Sequence, residues 1–82
     1  MQTAKRMTAE LPRTEAVRRI GVNGDTIETA APTLASLLAE LGYGDAKVAT
    51  ALNGDFVPAA RRGQTPIAAG DRIEIVAPRQ GG

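Results

Sequence analysis

The stretch Gly70-Asp71-Arg72-Ile73-Glu74-Ile75-Val76-Ala77-Pro78-Arg79-Gln80-Gly81-Gly82 decides how this chain folds. Gly70-Asp71 is a turn signal. After it, Ile73 and Ile75 alternate with Arg72, Glu74 and Val76, the period of two that gives a strand one core-facing side. Its β-branched apolar content predicts a central strand, covered by neighbours on both edges. Pro78 has no N–H to give to a ladder, so the strand is expected to stop there and release 79–82 as a flexible tail. The five residues after Ala77 reach about 16 Å at roughly 3.3 Å each, enough to enter a pocket on another protein. Gly81 and Gly82 lack Cβ atoms and so suit a narrow channel. The reactive group on such a tail is the Gly82 carboxylate.

Working outward, Ala69-Gly70-Asp71 reads as a tight turn, and Ile67 before it as a core contact. Ala59 to Thr65 reads as a loop, with Arg61 and Arg62 as solvated charges. Val48 to Leu52 alternates as a strand, with Val48, Thr50 and Leu52 on one face and Ala49 and Ala51 on the other. Asn53-Gly54-Asp55 follows, and Asn-Gly is a strong hairpin signal because both central residues of a type I′ turn need positive φ. Phe56-Val57-Pro58 is a short return strand that Pro58 confines to a sheet edge. A second hairpin of the same chemistry lies upstream: Val17 to Asn23, the turn Asn23-Gly24-Asp25, then Thr26 to Thr29. Ile20, Val22 and Ile27 face its core side.

Between the hairpins, Thr33 stands where a helix N-cap belongs. Leu34, Leu37, Leu38 and Leu41 follow at i, i+3, i+4 and i+7, four leucines on one stripe. Gly42 is placed to end the helix in the left-handed conformation. A leucine stripe needs an apolar surface to cover, and one mixed sheet of four or five strands supplies it. The expected fold is therefore α+β, one helix across a curved sheet. Residues 17–78 form the domain, 1–16 are a flexible N-terminal extension, and 79–82 are the tail.

Composition narrows the chemistry. The chain has 82 residues, no cysteine and no histidine. That removes disulfides, thiolate metal sites and thiol nucleophiles, along with the usual neutral-pH proton carrier. The formal net charge of +1 and the presence of only one Phe, one Tyr and no Trp argue against nucleic-acid binding. There is no apolar run of membrane-spanning length and no secretory signal, so the expected setting is the cytoplasm. No paired carboxylates, Ser/His/Asp set or phosphate-cradling loop appears, and the chain is not expected to be an enzyme.

With Val22-Asn23-Gly24-Asp25, the leucine helix closing at Gly42, Ala51-Leu52-Asn53-Gly54-Asp55-Phe56-Val57-Pro58, Gly70-Asp71-Arg72-Ile73-Glu74-Ile75-Val76 and the terminal Gly81-Gly82, the chain resembles the β-grasp, ubiquitin-like sulfur carriers. Within them it is most similar to the ThiS family of thiamin synthesis. The related molybdopterin carriers (MoaD) usually end on an aromatic strand and two prolines, where this chain has Val76-Ala77-Pro78-Arg79-Gln80. The resemblance covers about residues 17 to 82, and the lead-in before Val17 departs from the family's compact pattern.

The resemblance implies that the Gly82 carboxylate is adenylated by an E1-like adenylyltransferase (ThiF-like) using ATP and Mg²⁺. Sulfur from a cysteine desulfurase pathway then converts it to a thiocarboxylate. A thiazole synthase (ThiG-like) takes the sulfur. No cofactor or metal is expected on this chain itself. Gly81, Gln80 and Arg79 form the partner-binding tail, with Val76 and Phe56 as apolar contributors to the docking surface. Three alternatives stay open: a carrier for molybdopterin or another sulfur pathway, a lysine-conjugating modifier built on the same adenylate, and a binding module of the TGS kind, which shares the Asn-Gly and Gly-Asp turns.

Overall fold

The computed structural model describes residues 17–44 and 46–78. Their elements run β1 (Arg18–Val22), β2 (Asp25–Thr29), α1 (Leu34–Glu40), β3 (Ala49–Leu52), β4 (Asp55–Val57), a 3-10 helix (Ala59–Gln64) and β5 (Arg72–Val76). The five strands form one mixed sheet in the order β2-β1-β5-β3-β4. β5 is the central strand, parallel to β1 and antiparallel to β3, and β4 lies at an edge as Pro58 requires. One helix over a five-stranded mixed sheet is the expected β-grasp arrangement.

Both hairpins close with two-residue loops, since Val22 faces Asp25 and Leu52 faces Asp55. The loop residues have φ of 51° and 89° at Asn23 and Gly24, and 53° and 89° at Asn53 and Gly54. These are type I′ turns, whose twist matches that of the flanking strands. The asparagines do more than turn the chain. Asn23 gives its backbone N–H to the Ile73 carbonyl at 2.9 Å, and its carboxamide both accepts from the Ile75 N–H (2.8 Å) and donates to the Ile75 carbonyl (3.1 Å). Asn53 gives its backbone N–H to the Arg72 carbonyl at 2.7 Å. Its carboxamide accepts from the Arg72 N–H at 2.8 Å and donates to Asp71 Oδ1 at 3.0 Å. The two turns therefore share more than conformation: each clasps one side of β5.

The helix is short and well capped. Thr33 is the N-cap, and Ser36 completes a reciprocal capping box with it. At the far end Gly42, at φ 91°, donates to Ala39, and Tyr43 donates to Leu38. That pattern is a Schellman motif, which satisfies carbonyls the last turn would leave orphaned. Leu34, Leu37 and Leu38 are buried, but Leu41 is 37% exposed. The stripe thus buries three leucines, because the helix ends at Glu40 and Leu41 is already its C-cap. Ile20, Val57, Ile67, Ile73 and Ile75 complete the core against the helix.

Thr29, 2% exposed, is satisfied from two sides. Its hydroxyl donates to Glu40 Oε1 at 2.7 Å and accepts from the Ala31 N–H at 3.0 Å, which ties β2 to the end of α1. The segment expected as a loop from Ala59 to Thr65 is instead the 3-10 helix. With no buried residue of its own it has no apolar stripe to announce it. It begins after Pro58 with Arg61 donating to the Pro58 carbonyl at 2.8 Å, and brings Thr65 and Pro66 against the start of α1.

Candidate functional site

The sheet has a covered face, under α1, and an open one. The pleat places Arg72, Glu74 and Val76 of β5 on the open face, with Ala49 and Ala51 of β3 and Phe56 of β4. Ala49 pairs with Val76, and Ala51 pairs with both Glu74 and Phe56. Val76 is 60% exposed and Phe56 70% exposed. The two residues expected as apolar docking contributors thus share one exposed face, joined by two alanines. The alanines keep the sheet thin there and leave the aromatic ring standing proud.

At the end of β5 this face runs into a groove of about 580 Å³ whose lining includes Lys47, Val48, Ala49, Arg62, Val76 and Pro78. The groove is mostly apolar with two cations at its walls. It lies where the chain leaves the sheet toward residues 79–82. Arg62, read from the sequence as a solvated loop charge, is instead half-buried and engaged. Its Nη2 donates to the Val48 carbonyl at 2.6 Å and its Nε to Thr50 Oγ1 at 3.0 Å. The Thr50 hydroxyl passes the link on to the Val57 carbonyl at 2.8 Å. One guanidinium thereby fixes the 3-10 helix to β3 and shapes a wall of the groove. Adjacent arginines at Arg61 and Arg62 carry no hint of this, since only the 3-10 geometry turns Arg62 inward and leaves Arg61 exposed.

Asp71 serves its turn, as the sequence implies: Oδ2 accepts from the Ala68 N–H at 2.8 Å and Oδ1 from Asn53. The expected tail residues Arg79, Gln80, Gly81 and Gly82 lie outside the described residues, as does the expected N-terminal extension 1–16. Among the described residues no group of His, Cys, Asp or Glu could hold a metal ion, and no helix is long and apolar enough to cross a membrane. What the described part offers is a surface: a sheet face that exposes Phe56 and Val76 around Glu74 and leads to a groove at the end of β5.

Comparison with known proteins points to the same kind of molecule. The family model described as the ThiS family matches residues 14–82. Among solved structures, the crystal structure of thiamine biosynthesis protein ThiS from Geobacter metallireducens superposes with a TM-score of 0.67 at 25% sequence identity, covering 78% of this chain and 99% of that one. No curated protein sequence matches the chain.

Proposed function

This chain belongs to the ThiS family, and from that premise we propose that it is a sulfur carrier for thiamin (thiazole) synthesis whose working group is the Gly82 carboxylate. A carrier of this kind is a protein co-substrate, with no catalytic residues of its own and no bound cofactor. A terminal carboxylate has a reference pKa of roughly 3.3 to 3.7, so it is ionised at neutral pH and resists attack by sulfur. An E1-like adenylyltransferase removes that obstacle. The carboxylate oxygen attacks the α-phosphorus of Mg-ATP, pyrophosphate leaves, and an acyl adenylate results. A persulfide sulfur from the cysteine desulfurase pathway displaces AMP, and a thiol cleaves the remaining S–S bond to leave the thiocarboxylate. Thiazole synthase then receives the sulfur. ATP and Mg²⁺ belong to the activating enzyme, and the setting is cytoplasmic.

The observation that supports this reading best is the route of β5. The central strand, held on both edges, delivers the chain from Val76 to Pro78 beside the exposed Phe56 and Val76 side chains and the groove. A partner that docks on Phe56 and Val76 has the root of the tail beside it. From there Arg79, Gln80, Gly81 and Gly82 reach about 13 Å at roughly 3.3 Å per residue. The glycines admit the carboxylate to a narrow active site, and Arg79 is available to acidic groups along the way.

The test is intact-protein mass spectrometry after incubation with an E1-like enzyme, Mg-ATP and a persulfide source. The expected result is the mass gain of one oxygen-to-sulfur exchange, located on Gly82 and absent from a chain that lacks it. An unchanged mass with every activating enzyme of this class would exclude the carrier role and leave a binding module.

A further inference from the structure

The hydrogen-bonding pattern along β5 assigns Asn23 a role beyond its turn. Backbone groups of Ile73 and Ile75 point toward β1, and those of their alternate neighbours toward β3. On the β1 side the parallel ladder ends with Val22 beside Ile73. The Asn23 backbone N–H still reaches the Ile73 carbonyl at 2.9 Å. There β1 turns away into its hairpin, and the N–H and carbonyl of Ile75 would be left bare. The Asn23 carboxamide fills that place, accepting from the Ile75 N–H at 2.8 Å and donating to the Ile75 carbonyl at 3.1 Å. A primary amide has the same donor and acceptor as a peptide unit, so one side chain substitutes for a further residue of strand. Beyond Ile75, on the β3 side, Val76 is paired with Ala49.

We propose that Asn23 is a positioning residue for the C-terminal arm: its carboxamide fixes the last β1-side anchor of β5 and so the point at which the chain leaves the sheet after Val76. The proposal rests on the carrier reading above. Delivering a carboxylate to a reacting phosphorus is a problem of orientation, where misplacement by 1 Å can cost about 100-fold in rate. An arm rooted on a strand held along both of its edges loses less precision than one held on a single edge.

A matched pair of variants tests it. In Asn23→Gly and Asn53→Gly each turn becomes Gly-Gly, which still favours type I′, while one carboxamide clasp on β5 is removed. Asn53 clasps Arg72, at the start of the strand and away from the arm. The two variants therefore lose comparable contacts at opposite ends of β5. Hydrogen exchange read by NMR should show protection of the Ile75 amide falling by about tenfold in Asn23→Gly, the effect of one hydrogen bond, and protection of the Arg72 amide falling instead in Asn53→Gly. With the activating enzyme, Asn23→Gly should lower the kcat for adenylation by roughly tenfold, the size of effect expected of misorientation, and leave KM near its wild-type value because the Phe56 and Val76 face is untouched. Asn53→Gly should leave both close to wild type.

Unchanged Ile75 protection in Asn23→Gly overturns the proposal. So does an equal fall in kcat in both variants, which would make Asn23 a matter of stability alone. Failure of the carrier reading shows separately, as a wild-type control that is never activated. In that case the Ile75 exchange rate alone decides whether Asn23 anchors the end of β5.

Discussion

Thr50 shows how much one side chain organises. It is 2% exposed, and its hydroxyl accepts from Arg62 Nε while donating to the Val57 carbonyl. Thr50→Val preserves the shape and removes the hydroxyl, leaving a guanidinium N–H and a carbonyl without their partner. The expected loss is about 1–3 kcal/mol of unfolding free energy, the cost of polar groups buried unsatisfied. In a domain of this size about 1 kcal/mol lowers Tm by roughly 4–8 °C. Urea denaturation with an unchanged slope would confirm it. Thr50→Ser keeps the hydroxyl and should lose less; equal losses in the two variants would place the cost in the methyl group instead. The alternation in Val48–Leu52 already puts Thr50 on the inner face. Spacing does not say what the hydroxyl meets, because Arg62 comes from a separate element 12 residues away.

At the scale of elements, α1 is seven residues long. Isolated helices under about 12–15 residues are marginal in water, so this one stands on its caps and its packing. Three substitutions should therefore rank by environment. Leu37 is fully buried, and Leu37→Ala should cost about 2–5 kcal/mol through lost transfer energy and the cavity left behind. For a small domain, whose stability runs at roughly 0.05–0.15 kcal/mol per residue, that is a large share of the total. Thr33→Ala removes the N-cap acceptor and should cost about 1 kcal/mol. Leu41→Ala, at the exposed C-cap, should stay within about 1 kcal/mol despite its place on the leucine stripe. Thermal melts followed by circular dichroism measure all three. A Leu41 cost equal to that of Leu37 would show that the stripe is buried along its whole length.

Across the whole molecule the two faces of the sheet carry separate duties. The covered face supplies the core, and the open face exposes Phe56 and Val76 without burying either. Replacing both by Ala should change stability by only about 0.5 kcal/mol each, as for other exposed positions. Binding should respond differently. Aromatic anchors at interface centres commonly contribute more than about 1–2 kcal/mol, so affinity for the activating enzyme should fall at least tenfold by calorimetry. Normal affinity in a stably folded double variant would place the docking surface elsewhere, with the groove beside Lys47 and Arg62 the next region to probe.

The turns, the helix caps and the inner face of β5 are legible in the residues themselves, because each rests on local chemistry. Asn-Gly sets both type I′ turns because few other residues accept positive φ. Thr33 and Gly42 bound the helix because they satisfy its orphan groups, and the alternation of Ile73 and Ile75 assigns the inner face of β5. The family was legible too, from those turns together with the ends of the final strand. Tertiary structure alone decided what meets across the chain. It made a 3-10 helix of Ala59–Gln64, turned Arg62 from solvent into the wall of a groove, and left Leu41 partly exposed beside the buried leucines. It also placed the Asn23 carboxamide against Ile75, a contact between residues 52 apart in sequence. Such contacts follow from where separate elements come to rest, and no periodicity within a segment records the position of another.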